Sequence, residues 1–206
     1  MATTNQLNQQ DMCLEKYSCK ITLSRGDIFD QTNVHAIVVP TPHQSEGKDK
    51  NYAIFNRVYE RAQKKLEKDL DEYRKSAQRA NAKLFTEKNS QYIVVIPPYL
   101  RKHDTACNLL CQTFRSCFQC AIDSKLKKIA LPTIGCGVID FPLTDAIECL
   151  FTAINELGNK LRNLEEIRIV IFDEKIYEKY IIEFWTIADK NYGFDKFVTN
   201  VFCQKF

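Results

Sequence analysis

Four short apolar runs alternate with amphipathic helical patterns along this chain, and this alternation limits the folds that the sequence can form. The runs cover residues 36–39, 92–96, 129–131 and 167–172. A run that is apolar at nearly every position is typical of a parallel strand buried on both faces. Helices then connect such strands and cover the sheet. The sequence therefore predicts an α/β fold, a three-layer α/β/α sandwich around a mostly parallel, mixed central sheet.

Two further patterns complete this outline. Partial alternation over residues 17–23 predicts a strand with one solvated face. Apolar residues at helical spacing predict one long helix over residues 54–73 and others over 104–124, 147–161 and 176–187. Ligands of such sheets bind beyond the carboxyl ends of the strands, so the loops that follow the strands are expected to form one cleft.

Length and composition predict a single domain. The chain has 206 residues and is 45% hydrophobic, which is enough for one sizeable core and too little for two. Its first residues are polar and carry no apolar pattern. We therefore predict a flexible N-terminal segment over residues 1–14 and one domain over residues 15–206.

Charge and hydropathy restrict the partners. The 29 basic and 26 acidic residues nearly balance, giving a net charge of +3, so nucleic acid is not favoured as a partner, although Lys125, Lys127 and Lys128 form a local basic cluster. There is no long apolar stretch and no secretory signal pattern at the N-terminus. We expect no membrane partner and a location in the cytoplasm or the nucleus.

The nine cysteines do not predict a metal site. Cys107, Cys111, Cys117 and Cys120 fall within one helical pattern beside large apolar residues, which favours a role in core packing. The Cys117 and Cys120 pair has the spacing of two zinc ligands, but no second Cys or His pair stands at a matching spacing. We predict neither a metal nor a cofactor.

A glycine loop at residues 133–141 directly follows the apolar run at 129–131, and a helical pattern follows it. Gly135 and Gly137 allow backbone N–H groups to approach an anion without interference from side chains, and the N-terminus of the next helix favours negative charge. The loop therefore predicts a nucleotide-like or pyrophosphate-containing ligand.

Three segments in this order resemble the macro domain, the ADP-ribose-binding module. They are Gly-Asp-Ile at residues 26–28, Pro-Thr-Ile-Gly-Cys-Gly-Val-Ile-Asp-Phe-Pro at 132–142, and Val-Ile-Phe-Asp at 170–173. The resemblance extends over about residues 17–188 and implies the macro-domain fold. It also implies that ADP-ribose, or proteins that carry it, are the partners.

The resemblance implies a role for each site residue. Asp27 would accept a hydrogen bond from the adenine amino group, with the backbone of Ile28 beside it, although an Asp after Gly also commonly caps a turn. Phe172 would line the adenine pocket, or else fill the core. The remaining ligand-binding residues would be Thr41 after the second strand and, through backbone amides around the pyrophosphate, Gly135, Cys136, Gly137, Val138 and Ile139.

The chain also departs from the family pattern. Macro domains usually carry Asn-Ala-Ala-Asn after the second strand, where this chain has Val-Pro-Thr-Pro at residues 39–42. Pro42 therefore replaces the asparagine expected near the distal ribose and offers no side-chain hydrogen bond. The glycine triplet of the first phosphate loop is reduced to Gly-Lys-Asp at residues 47–49.

Three functions remain open at this point. The first is a binding module for ADP-ribose, free or protein-linked. The second is an ADP-ribosyl-protein hydrolase that uses Asp140, although Asp140 lies one position beyond its expected place and Tyr99 stands where a divergent hydrolase branch carries a lysine. The third is a degenerate macro fold that serves protein or nucleic-acid contacts without binding ADP-ribose.

Overall fold

An eight-stranded mixed sheet forms the centre of the protein in a computed structural model that describes residues 12–43, 52–98, 103–137, 140–191 and 196–198. The strand order across the sheet is β4-β5-β3-β6-β7-β2-β1-β8. The strands are β1 Met12–Lys16, β2 Cys19–Arg25, β3 Ala36–Pro40, β4 Ala82–Glu87, β5 Ser90–Val95, β6 Lys128–Pro132, β7 Glu166–Ile171 and β8 Lys196–Val198.

Helices connect these strands and cover the sheet. They are α1 Ala53–Arg61, α2 Lys64–Ser76, α3 His103–Asp123, α4 Leu143–Leu157 and α5 Glu174–Asn191, with short 3₁₀ helices at Ile28–Asp30 and Gly158–Asn163. None of the helices in the described ranges is both long enough and apolar enough to cross a membrane.

Strand direction and burial confirm the predicted fold class. The neighbours β5, β3, β6, β7 and β2 are parallel, whereas β4, β1 and β8 add antiparallel pairs at the two sides. Successive residues of a strand point to opposite faces. Val38 accordingly packs in one core with Phe151 of α4, and Val39 packs in a second core with Phe55 of α1. Helices therefore bury both faces of the sheet, which gives three layers.

The prediction of one long helix over residues 54–73 is wrong, because the chain breaks between α1 and α2. Ala62 and Gln63 are both extended, with ψ of 140° and 158°. The amide of Gln63 donates to Glu87 Oε1 of β4 at 2.7 Å. This contact comes from a distant strand, and the apolar spacing of the helices continues across the break, so the spacing alone does not reveal it.

The N-terminal boundary also needs correction. Residues 12–14 of the segment expected to be flexible belong to β1, where Leu14 pairs with Ile21 and is fully buried. Tyr17 and Ser18 form the turn of the β1–β2 hairpin with positive φ of 52° and 62°, so β2 begins at Cys19 rather than at residue 17. Residues 1–11 lie outside the described residues.

Candidate functional site

A cavity of about 370 Å³ lies where the carboxyl ends of β2, β3, β6 and β7 meet. The segments that follow β2 and β6, the start of α1 and the ends of β3 and β7 surround it. This is the edge at which open α/β sheets bind ligands. The lining residues are Gly26, Asp27, Ile28, Phe29, Pro40, Tyr52, Ala53, Ile54, Arg57, Pro132, Thr133, Ile134, Gly135, Gly137, Val170 and Phe172.

Asp27 lines the cavity, and its carboxylate is fixed by two donors. Oδ1 accepts a hydrogen bond from the amide of Phe29 at 2.9 Å, which caps the 3₁₀ helix that follows. Oδ2 forms an ion pair with Arg57 of α1. Burial raises the pKa of Asp27, but the hydrogen bonds from Arg57 and Phe29 and the charges of Arg57 and Arg61 outweigh it. The pKa is therefore lowered overall, and Asp27 is ionised at neutral pH.

The backbone of the Asp27 loop is held from the sheet side. Gln31 Nε2 donates to the carbonyl of Asp27 at 3.1 Å. Gln31 in turn accepts from Arg168 of β7 at 3.3 Å, and Arg168 Nε donates to Glu166 Oε1 at 2.8 Å. Because β2 and β7 are neighbours, this chain of hydrogen bonds ties the loop to the centre of the sheet.

Arg57 is a site residue that the sequence analysis missed. Its guanidinium lies 4.2 Å from the ring centre of Phe29, a cation–π contact, while it also pairs with Asp27. Arg57 is separated from Asp27 by 30 positions, so no local pattern joins them. The signal available in the sequence was its place in a helical pattern that follows the loop after β3.

The two glycines of the loop after β6 also line the cavity. Gly135 has a φ of +98°, and a Cβ at this position would lie 3.1 Å from Leu110 Cδ2. A Cβ at Gly137 would meet no atom within 4 Å, so this position faces open space. Neither amide has a hydrogen-bond partner within the described ranges. The loop thus presents backbone donors without side chains in front of them.

The rest of this loop is tied together by its own backbone. The amide of Cys136 donates to the carbonyl of Thr133 at 3.2 Å, and the amide of Phe141 donates to Gly135 at 2.9 Å. Cys136 is half-buried against the core, is not part of the cavity lining, and has its pKa raised to about 12 by burial. Its predicted amide contact with a ligand is thus not preformed. Val138 and Ile139 lie outside the described residues.

The structure does not bring Thr41 to the cavity. Its side chain is fully buried, and its amide donates to the carbonyl of Val95 at 2.9 Å, which extends the pairing of β3 with β5. The neighbouring carbonyl of Pro42 accepts from Nε of the buried Arg74 at 3.0 Å. The segment after β3 is therefore anchored to α2, and Thr41 does not line the cavity.

Phe172 and Asp140 occupy exposed positions. The Phe172 side chain is 79% exposed at the rim of the cavity, which rules out the alternative that it fills the core. Asp140 is also exposed, with a φ of 55°, and is not among the lining residues. No group of three or more His, Cys, Asp or Glu side chains in the described part of the chain is arranged to hold a metal ion.

Residues 37–150, which are more than half of the chain, match the sequence model of the macro domain. The chain therefore belongs to the macro domain family. Within the curated proteins, it is 38% identical over 56 residues to an uncharacterized protein of Pyrobaculum aerophilum. That match spans 27% of this chain and only 31% of the relative.

Solved macro domains share the fold. The Oceanobacillus iheyensis macrodomain with ADP superposes with a TM-score of 0.72 at 19% identity, covering 88% of this chain and 98% of the other. The Trypanosoma brucei macrodomain in complex with ADP superposes with a TM-score of 0.65 at 18% identity, covering 79% of this chain and 68% of the other. At these identities the likeness establishes the common fold.

Proposed function

We propose that this macro domain binds ADP-ribose, either free or attached to a protein, with the adenine near Asp27 and the diphosphate near Gly135 and Gly137. The observation that carries the proposal is that a fixed carboxylate, that of Asp27, and the glycines of the loop after β6 line the same cavity. Related structures from Oceanobacillus iheyensis and Trypanosoma brucei contain ADP, and a variant of the former contains ADPR.

The adenine end supports the proposal through chemistry and shape. An ionised carboxylate is only an acceptor, so it suits the amino group of adenine. Phe172 offers an exposed aromatic face at the rim, on which a purine can stack. Asp27 also has the alternative role of a cap, because its Oδ1 accepts a hydrogen bond from the amide of Phe29. The two roles are compatible because a carboxylate has about four acceptor positions.

The diphosphate end relies on backbone groups. The amides of Gly135 and Gly137 are available, and α4 begins shortly afterwards at Leu143. A helix N-terminus and convergent amides both favour phosphate oxygens. Because Pro40 lines the cavity and the buried Thr41 does not, the distal ribose is expected to gain fewer polar contacts than the adenine and the diphosphate.

Calorimetric titration with ADP-ribose tests this function. We expect saturable binding by the wild-type protein and a loss of at least about tenfold in affinity for Asp27→Asn, since one hydrogen bond to a charged group contributes about that much. Asp30→Asn is the matched control, because Asp30 is exposed in the same 3₁₀ helix and does not line the cavity. A wild-type protein that gives no binding heat at about millimolar ligand would contradict the proposal.

The hydrolase alternative stays a prediction centred on Asp140. Its exposed carboxylate lies just beyond Gly137, whose carbonyl accepts from the Asp140 amide at 3.0 Å. If the domain is a hydrolase, ADP-ribose release from a glutamate-modified protein should stop in Asp140→Ala. Unchanged release in that variant would contradict the role of Asp140. No release by the wild-type protein would contradict the hydrolase alternative itself.

The nucleic-acid alternative concerns a different surface. Lys127 and Lys128 lie at the amino end of β6, whereas the cavity is at the carboxyl end. Lys127 Nζ donates to the carbonyl of Asn163 at 3.3 Å. Labelled RNA that binds with a steep salt dependence, in a protein that does not bind ADP-ribose, would favour this alternative.

A further inference from the structure

Two cysteines from neighbouring helices meet at the interface of α3 and α4. Cys149 of α4 is buried, and its thiol donates a hydrogen bond to the carbonyl of Cys107 in α3 at 3.4 Å. In an α-helix that carbonyl is also the acceptor for the amide four residues later, which is the amide of Cys111. The Cys149 thiol therefore lies beside the turn from Cys107 to Cys111, and Sγ of Cys111 is a second acceptor within its reach.

Contacts on both sides of these thiols hold α3 against α4. One turn further along α3, Arg115 Nη1 donates to Glu156 Oε2 of α4 at 3.0 Å. In the other direction, a Cβ at Gly135 would lie 3.1 Å from Leu110 Cδ2 of α3 and 3.5 Å from Ala146 Cβ of α4. Both helices therefore pack under the glycine loop at this point, and the two thiols lie between fixed contacts.

We infer that Cys111 and Cys149 are a redox-sensitive pair, which hydrogen peroxide oxidises to a disulfide that joins α3 to α4. The cysteine side chains that the structure describes are all thiols, so the pair is in its reduced state. Cys111 is only half-buried, so a small oxidant can reach it, while Cys149 is buried directly beside it. The inference is independent of the proposed function, because no nucleotide takes part in the reaction.

The hydrogen bond between the thiols gives them different reactivities. It lowers the pKa of Cys111, although burial acts in the opposite direction. The same hydrogen bond, together with burial, raises the pKa of Cys149. The charges of Glu156 and Arg115 also act on Cys111, but in opposite directions, and these two residues pair with each other. Because the thiolate is the nucleophilic form, Cys111 is the sulfur that reacts first.

The proposed reaction has two steps. The Cys111 thiolate attacks one oxygen of hydrogen peroxide and the O–O bond breaks, which leaves a sulfenic acid on Cys111 and a hydroxide that takes up a proton to become water. The Cys149 sulfur then attacks the Cys111 sulfur, and the sulfenic hydroxyl leaves with the Cys149 proton as a second water. The two sulfurs together lose two electrons, and the peroxide gains them.

Peptide mapping of the full chain tests the inference. The folded protein is treated with hydrogen peroxide under conditions that fully oxidise glutathione in the same solution. The remaining thiols are then blocked in denaturant, and linked peptides are identified by mass spectrometry. We expect loss of the Cys111 and Cys149 thiols and one major linked pair of peptides that contains both. Thiols that persist at Cys111 and Cys149, or a major link from Cys149 to Cys107, would overturn the inference.

Single substitutions separate the two roles. In Cys149→Ser, dimedone should label a sulfenic acid on Cys111, whereas Cys111→Ser should lose both the label and the disulfide. Cys120→Ser is the matched control, because Cys120 is also half-buried on α3 but burial raises its pKa, and this variant should form the disulfide as the wild-type protein does. No label on Cys111 in folded Cys149→Ser would overturn its role as the first sulfur to react. If a variant does not fold, the mapping of the wild-type protein decides.

Discussion

Two parts of the cavity lining, the Asp27 loop and the glycine loop after β6, are built in opposite ways. Asp27 offers a side chain that is held by Phe29, Arg57 and, through its backbone, Gln31. Gly135 and Gly137 offer only backbone; a Cβ at Gly135 would lie close to Leu110, whereas a Cβ at Gly137 would meet nothing within 4 Å. The Asp27 loop depends on contacts between distant parts of the chain, whereas the glycine loop depends mainly on a short local sequence. Within the glycine loop, substitutions should act mainly on stability at Gly135 and mainly on ligand binding at Gly137.

The largest expected effect contrasts the two glycines. In Gly135→Val, the positive φ and the 3.1 Å approach to Leu110 should lower the free energy of unfolding by about 3 kcal/mol and abolish ADP-ribose binding. Gly137→Val should change stability by less than about 0.5 kcal/mol, because its side chain enters open space, but should weaken binding by about tenfold or more. Urea denaturation and calorimetry measure both quantities. Equal destabilisation by the two variants would contradict this difference between Gly135 and Gly137.

Removal of the carboxylate should have an intermediate effect. Asp27→Ala loses the cap at Phe29 and leaves Arg57 without its partner, so we expect a decrease of about 1–2 kcal/mol in unfolding free energy together with weaker ADP-ribose binding. Asp30→Ala should leave both nearly unchanged. Denaturation curves that coincide for Asp27→Ala and the wild-type protein would contradict the role of Asp27 in stabilising this loop.

A smaller effect is expected for the aromatic rim. Phe172→Ala should weaken ADP-ribose binding by about fivefold, the lower range for a base stacked on an aromatic ring, and leave the unfolding transition unchanged because Phe172 is 79% exposed. Ile182→Ala is the matched control, since Ile182 is 66% exposed on α5 and does not line the cavity. Equal affinities for the two variants would argue against stacking at this rim.

The smallest effect is the pH dependence of stability. The pKa of Asp27 is lowered in the folded protein, so its ionised form stabilises the fold above the ordinary carboxyl value of 3.8 and this contribution is lost as the pH falls through the folded pKa. The stability difference between wild-type and Asp27→Asn protein should stay constant between about pH 7 and about pH 5 and shrink below that range. Thermal denaturation at several pH values measures this stability difference. A difference that grows on acidification would contradict the lowered pKa of Asp27.

Much of the fold could be predicted because its central strands are uniformly apolar. The runs that form β3, β6 and β7 need no distant partner to be recognised. In contrast, β4 was not predicted, because it is an edge strand whose exposed positions include Lys83 and Thr86. Edge strands are solvated on more sides, so their apolar pattern is weaker.

The candidate site was only partly predictable for a similar reason. Gly135 and Gly137 are predicted from the glycine loop, and Asp27, Ile28 and Phe172 from the resemblance to the macro domain; the structure brings all five around one cavity. The position of Thr41 depends on β-sheet pairing with Val95, and the role of Arg57 depends on a side chain from another element. Motifs record short stretches of sequence, whereas these contacts arise only when the chain is folded.

A crystal structure of the protein soaked with ADP-ribose tests the central claim most directly. We predict density for one ligand in the cavity, with the adenine amino group in hydrogen-bond distance of Asp27 and diphosphate oxygens facing the amides of Gly135 and Gly137. Ligand bound at another surface, or a cavity that stays empty at saturating ADP-ribose, would contradict the account.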